Sequence, residues 1–503
     1  MSEYARTILR DLGVAIHIPG LMALVSIPVC LLADETFMVA PFAACAVVAI
    51  VPGQVMFRTF RNAGAMQVRH AMDMAILAWV TISLLGMIPL MAGAWAAPQE
   101  MSATLEAFRQ PWNALFESVS GFTSTGLTMT AHPEDLPHAL QWWRSFMQWI
   151  GGVGVIVLML AVFHPSGDAH RLYLAEAREQ QITASLVETV RTMWWLYLVL
   201  TVAALAALRL AGMSWWHALN YAMTGIATGG FGVTDGNIGD FGLAPRLVMS
   251  AIVIVGAISF AVHYRLLVQR RLRAFSRDRE VRLLMALLVI GGAAITLEAW
   301  WANGPQHGLD SAFHWVSALC TAGFQSSTFE AWSPTARLIL IAGMVIGGMA
   351  GSTAGGLKLS RLRILGEGIA RRIGHVATQP WRLTEHRNLG DDHEAVRHRR
   401  LLEAASLLAL LWVTSLVAGS VVLLHTSGPG VSLDMALFEA ASAMGNVGLS
   451  SGLAGPDLPW PGKAALIAMM WMGRLEIIPV LVLIASVRPR PVAHKAHRDA
   501  DRR

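Results

Sequence analysis

Apolar runs of roughly 20 residues, the length that crosses about 30 Å of hydrocarbon as a helix, recur along the whole chain. They lie near 12–32, 36–57, 71–97, 141–163, 192–212, 244–267, 282–302, 335–370, 400–425 and 461–487. Short polar breaks divide them, such as the Asp-Glu-Thr turn at 34–36 and His164-Pro165 after the fourth run. The pattern predicts ten crossings, two leading ones and then four pairs. Inside each pair lies a segment too short and too polar to cross alone. Each such segment reads as a short helix followed by a Gly-containing extended stretch.

These four segments are copies of one another. With Gly126, Gly230, Gly323 and Gly448 aligned as a zero point, a hydroxyl stands six residues upstream each time: Ser120, Thr224, Ser317 and Ser442. Five upstream is a small residue (Gly121, Gly225, Ala318, Ala443), and four upstream an apolar one (Phe122, Ile226, Leu319, Met444). One downstream is a bulky apolar residue: Leu127, Phe231, Phe324 and Leu449. Four copies of one irregular pattern predict four-fold pseudo-symmetry. The copies are too far apart for a solenoid and fit a unit of two membrane helices with a loop between them. The expected fold is therefore an all-α polytopic membrane protein, with two leading helices and four parallel helix–pore-loop–helix repeats around a pseudo-four-fold pore. The leading helices take 1–69 and the repeats take 70–190, 191–281, 282–398 and 399–503, the last with a basic C-terminal tail.

Composition agrees. Hydrophobic residues make up 55% and charged ones 14%, against about 25% charged in soluble domains. The net charge of +5 does not imply nucleic acid, because the bases cluster in loops beside the spans, where they set topology. The connections holding the four segments carry almost none: Arg109 alone between 98 and 140, and no Lys or Arg in 213–243, 303–333 or 426–459. The alternate connections are rich, from Arg265 to Arg279 and from Arg361 to Arg400. Both termini and the basic loops are thus expected in the cytoplasm, with the four segments dipping in from outside. Arg6 and Arg10 before the first run mark a retained first helix. Cys30, Cys45 and Cys320 all lie in apolar surroundings and imply no disulfide framework. The polar stretch 372–398 is either a solvated loop or a docking surface for a cytoplasmic regulator.

In lipid, irregular backbone is tolerated only when buried in protein or lining a wet cavity. Four loops converging on one axis meet that condition, and their carbonyls can replace the hydration shell of an alkali cation. The C-terminal dipole ends of the short helices favour a cation. The candidate ligands are Thr123, Ser124, Thr125 and Gly126; Ala227, Thr228, Gly229 and Gly230; Cys320, Thr321, Ala322 and Gly323; and Gly445, Asn446, Val447 and Gly448. None is a carboxylate, so a charged ring of the divalent-selective kind is not expected. The hydroxyl and small columns are expected to let helices pack closely. Glu117 and Glu439, at matched positions nine upstream of the Gly, either bond loop N–H groups behind the filter or ligate the ion directly.

Residues 347–356 hold five glycines in an otherwise apolar helical run. Each costs roughly 1 kcal/mol of helix stability relative to Ala, so the helix should break here. The gap exposes Gly351, Ser352, Thr353, Gly355 and Gly356, a candidate gate, and Lys358 at its end is a gate contact or a cytoplasmic anchor. Arg474 stands about halfway along the last run. At that depth an ionised Arg costs at least about 2.5–3.5 kcal/mol, and it needs a wet cavity or a partner.

With these motifs the chain resembles the TrkH/KtrB superfamily of potassium-translocating subunits, nearer TrkH because of its two leading helices. The most specific matches are Gly-Gly-Met-Ala-Gly-Ser-Thr-Ala-Gly-Gly-Leu-Lys at 347–358 and Gly-Arg-Leu-Glu-Ile at 473–477. The resemblance implies that the Gly of each loop lies in a potassium filter, that 347–356 is an intramembrane gating loop, and that Arg474 is an electrostatic barrier beside it. Gly126, where sodium-favouring plant relatives carry Ser, favours potassium. The resemblance also implies a homodimer in the bacterial inner membrane with a cytoplasmic TrkA-type regulatory subunit that binds NAD or ATP/ADP. This chain shows no nucleotide motif, so potassium is its only expected ligand. The alternative is an alternating-access or proton- or sodium-coupled symporter, although four parallel repeats differ from the inverted pair of such transporters. No His-Glu-x-x-His, Gly-x-Ser-x-Gly or paired membrane carboxylate is present, so no enzyme is expected.

Overall fold

The computed structural model describes residues 3–64, 68–98, 102–162, 186–303, 308–327, 332–378, 393–475 and 477. Its described elements are all helical. Among the described residues, six helices are long and apolar enough to cross a membrane, seven with one bent pair. The bent pair, the broken eighth run, and the helices His138–Val162 and Trp460–Leu475 account for the other expected runs. Gln379-Pro380, Asp391-Asp392, the end of the last run and the basic tail lie outside the described residues.

Each repeat places a short helix between two longer ones. These short helices are Pro111–Phe122, Trp215–Ile226, Gly308–Leu319 and Leu433–Gly445. Each packs on the span before it and the span after it in its own repeat. Each of the second, third and fourth also packs on the closing span of the repeat before. The last span, Trp460–Leu475, packs back on the first short helix and completes the cycle. The fold is thus four parallel repeats round a pseudo-four-fold axis. The leading helices lie against the first repeat, and they cross each other closely, where a side chain on Gly13 or Gly53 would overlap the other's carbonyl at 2.8 Å. Small residues at such a crossing let two backbones touch where lipid supplies no hydrophobic drive.

Three expected spans differ from what the apolar runs suggest. The first begins at Glu3, not near 12, because a helix Glu3–Ala15 precedes His17–Leu32. The expected span 244–267 is bent by 100° between Leu243–Ala257 and Phe260–Val268. Ser259 at the break caps the following helix, its Oγ accepting from Ala261 N at 3.3 Å, and tertiary bonds take up the groups that the break frees. The carbonyls freed at Gly256 and Ala257 accept hydrogen bonds from Thr353 and Met349, and Phe260 N donates to Gly351 O. The run 335–370 does break as expected, but the gap is longer than 347–356. The helix stops at Ile346 and resumes at Leu359.

Packing between helices also depends on where side chains are missing. Trp315 is pinned by its indole N–H on Leu287 O, 3.0 Å, and its ring lies directly on Gly291. Gly291→Ala is expected to lower the melting temperature in detergent through an overpacking cost of about 1–3 kcal/mol. Gly292→Ala, with its nearest ring atom at 3.7 Å, is expected not to.

Candidate functional site

The four short helices end in the same way. In each, the residue two before the key Gly has a left-handed φ: Ser124 51°, Thr228 49°, Thr321 50° and Asn446 50°. Its N–H bonds the carbonyl three residues back, at 2.9 to 3.2 Å. The next N–H bonds the carbonyl five back: Thr125 to Ser120, Gly229 to Thr224, Ala322 to Ser317 and Val447 to Ser442, at 2.8 to 2.9 Å. This pair of bonds is a Schellman cap. Such caps normally use Gly, and a non-Gly residue in that conformation costs on the order of 1–3 kcal/mol. The key Gly then returns to positive φ, at 95°, 84°, 74° and 98° for Gly126, Gly230, Gly323 and Gly448. Left-handed φ at alternate positions turns successive carbonyls toward one side.

The four glycines meet. A side chain on Gly126 would strike Gly229 O, one on Gly230 Ala322 O, one on Gly323 Val447 O, and one on Gly448 Thr125 O. Every contact is to the residue just before the key Gly of the next loop, and the sequence of contacts closes on itself. Thr125, Gly229, Ala322 and Val447 thus contribute a closed ring of carbonyls, one from each loop. Among the described residues no cluster of His, Cys, Asp or Glu has the geometry to hold a metal. A cation at this place would be held by backbone and hydroxyl oxygens.

The residue nine before each Gly secures the returning strand. Glu117 accepts from Met129 N at 2.7 Å and from the hydroxyls of Thr128 and Thr130. Glu439 accepts from Ser451 N at 2.9 Å and Ala454 N at 3.0 Å. His314 Nε2 takes the same place on Ser326 N, 3.2 Å, and the Tyr221 hydroxyl meets that of Thr234 at 2.9 Å. The two glutamates therefore stand behind the loops, bonded to backbone, the first of the two readings open in the sequence. The hydroxyl column differs from its expected packing role. Ser120 and Ser442 accept from Gly126 N and Gly448 N, each at 3.0 Å, and so latch the first and fourth loops.

The Gly-rich segment lies against the ends of the short helices. The Thr353 hydroxyl donates to Ile226 O at 3.0 Å and Gly256 O at 2.9 Å. Gly355 N donates to the Thr321 hydroxyl at 2.6 Å, and Gly356 N to Gly445 O at 3.0 Å. Gly347, Gly351 and Gly356 have φ of 72°, 73° and 76°. Ser352 donates to Met349 O at 2.6 Å, within the segment. The Lys358 ammonium folds back onto Ala354 O. Arg474, 5% exposed, donates to Thr353 O at 2.9 Å and to Gly151 O at 2.8 Å. It thereby ties the segment to the first repeat. Bonds from this one segment and Arg474 reach all four repeats.

Two residues here escape sequence reasoning. Arg144 is buried against Glu117, with Nε 2.6 Å from the carboxylate, and also reaches Gly232 O at 3.0 Å. Gln148 bonds the second loop from the side. Arg144 and Gln148 are polar residues near the start of an apolar run, and that was their only signal. Asn446 does appear among the expected residues, but its amide acts between loops, donating to the Thr125 hydroxyl at 2.9 Å and to Met470 O at 2.8 Å.

This architecture has known counterparts. The family model TrkH, described as a cation transport protein, matches residues 39–301 and 302–495. A Trk system potassium uptake protein TrkH of Halomonas elongata is 30% identical over 95% of this chain and 98% of its own. An uncharacterized cation transporter of Methanocaldococcus jannaschii is 34% identical over 84% of this chain and 83% of its own. The crystal structure of the potassium transporter TrkH from Vibrio parahaemolyticus superposes with a TM-score of 0.81 at 26% identity, covering 95% of this chain and 98% of that one.

Glu117 and Arg144 are 0% and 1% exposed in their side chains. Removing one charge strands the other, at a cost of about 3–5 kcal/mol. Glu117→Ala is expected to lower the midpoint of thermal unfolding in detergent accordingly, and Glu117→Ala with Arg144→Met to recover part of the loss.

Proposed function

The chain belongs to the TrkH family of cation transport proteins, and from that premise we propose that it carries potassium through the ring formed by its four loops. It is a multi-pass membrane cation transporter and not an enzyme. The reading rests on one observation: Gly126, Gly230, Gly323 and Gly448 abut one another's neighbours in a closed cycle, with one carbonyl from the next loop at each junction. Relatives named as potassium uptake proteins supply the ion.

A potassium ion sheds its water and takes carbonyl oxygens in exchange. The C-terminal ends of the short helices add their negative dipole ends. The ion runs down its electrochemical gradient through the inner membrane of a bacterium, with both termini of the chain on the cytoplasmic side. The segment 347–358 is the gate, held shut by bonds of Thr353, Gly355 and Gly356 to the helix ends. Arg474 pins Thr353 O and places a positive charge beside the path, where it repels a cation. Opening requires these bonds to be exchanged together. A homodimer and a cytoplasmic TrkA-type subunit binding NAD or ATP/ADP drive that exchange. The closed ring of four parallel repeats favours this reading over alternating access, which needs two halves that rock against each other.

Gly126→Ser, whose Cβ would press on Gly229 O, is expected to lower the potassium-over-sodium permeability ratio by at least about fivefold, the scale of one disturbed polar contact. Reversal potentials in planar bilayers read it, and an unshifted potential removes the filter role. Deleting 350–354, or Arg474→Ala, is expected to raise potassium flux of the purified chain in liposomes. Unchanged flux in either folded variant would show that the segment and its Arg are structural.

A further inference from the structure

Gln148 lies fully buried on the helix His138–Val162 of the first repeat, yet its amide serves the second loop. Its Nε2 donates to Gly229 O at 2.5 Å, and its Oε1 accepts from Phe231 N at 3.1 Å. The two bonds bracket Gly230. They also account for the one loop with two consecutive glycines at its end. A Cβ on Gly229 would overlap the Gln148 amide, whereas the matching positions in the other loops hold Thr125, Ala322 and Val447. Gly229 O is one of the four carbonyls in the ring, the one abutting Gly126. The other three have no comparable side-chain donor among the described residues. The ring is therefore electrically uneven.

We propose that Gln148 is a specificity-determining residue, which sets the preference between monovalent cations by sharing the Gly229 carbonyl with the ion. This rests on reading the four loops as the filter. An N–H aimed at a carbonyl oxygen places positive charge beside it and weakens its pull on a cation by Coulomb's law. A weak ligand field favours the larger ion, whose water is cheaper to remove. A strong field favours the smaller one. Selectivity in a flexible filter follows the number and field strength of its carbonyls. Freeing Gly229 O strengthens the field and moves the balance from potassium toward sodium.

The test is the permeability ratio of the full chain in planar bilayers under potassium and sodium gradients. Gln148→Met keeps the side chain's length and apolar volume but removes the donor. It is expected to lower the potassium-over-sodium ratio about fivefold, the share of a single hydrogen bond. Gln148→Glu keeps the shape and replaces the donor with an acceptor, so its ratio falls at least as far. It decides the question should the Met variant fail to assemble. A structural role would reduce potassium and sodium currents together and leave the ratio at the wild-type value. That result, or a raised ratio, overturns the proposal. Gly126→Ser measured in parallel separates the two readings. If it shifts the ratio while the Gln148 variants do not, this inference falls and the filter stands. If none of the three shifts it, both fall.

Discussion

Backbone that is neither helix nor sheet cannot face hydrocarbon, because no water is there to bond its N–H and C=O groups. Everything near the axis of this protein follows from that constraint. Four helices stop inside the membrane, and each must dispose of carbonyls that a longer helix would have bonded internally. The Schellman caps satisfy two carbonyls per helix. Others are covered by neighbouring repeats: Gly445 O takes Gly356 N, and Ile226 O takes the Thr353 hydroxyl. Those left over are Thr125 O, Ala322 O and Val447 O of the ring, whose fourth member, Gly229 O, takes the Gln148 amide. A bare cation would suit that ring, as proposed for potassium.

The same constraint explains how four loops of different sequence adopt one shape. Left-handed Ser124, Thr228 and Thr321 are each strained, and each is held by tertiary bonds to Gln148 O, to Thr353 and to Gly355 N respectively. Behind them, a carboxylate, a phenol, an imidazole and a second carboxylate perform one task with different chemistry. Each anchors the strand that returns from the loop. What repeats along the chain is a hydrogen-bonding geometry, and the residue types vary as long as they reach the same atoms. The Gly-rich segment belongs to this scheme as well. It supplies donors to the helix ends, so moving it leaves those ends short of partners.

Much of this was legible in the sequence because it is local and recurs. A hydroxyl, a small residue, an apolar residue and a Gly at fixed spacing are set by one turn of chain, and four copies reinforce each other. The break at 347 was legible for the same reason, since five glycines in one short stretch oppose helix wherever they occur. What stayed hidden depends on partners far away in the chain. The bend after Ala257 lies in a mainly apolar run marked locally only by Ser259, which caps the next helix, and the groups it frees bond Met349, Gly351 and Thr353 far along the chain. Arg144 and Gln148 look like ordinary polar residues until the fold brings Glu117 and Gly229 to them. The Ser120 and Ser442 hydroxyls were visible, but their work as latches required knowing where the strand returns.

Potassium transport as proposed requires the ring to bind a dehydrated monovalent ion. Anomalous diffraction from crystals soaked in thallium or rubidium tests this directly, because either heavy ion substitutes for potassium and marks its own position. An anomalous peak is expected on the axis, coordinated by the carbonyls of Thr125, Gly229, Ala322 and Val447, and weakened by excess potassium. Ions found only elsewhere, with the axis between Gly126, Gly230, Gly323 and Gly448 empty at saturating concentration, would contradict it.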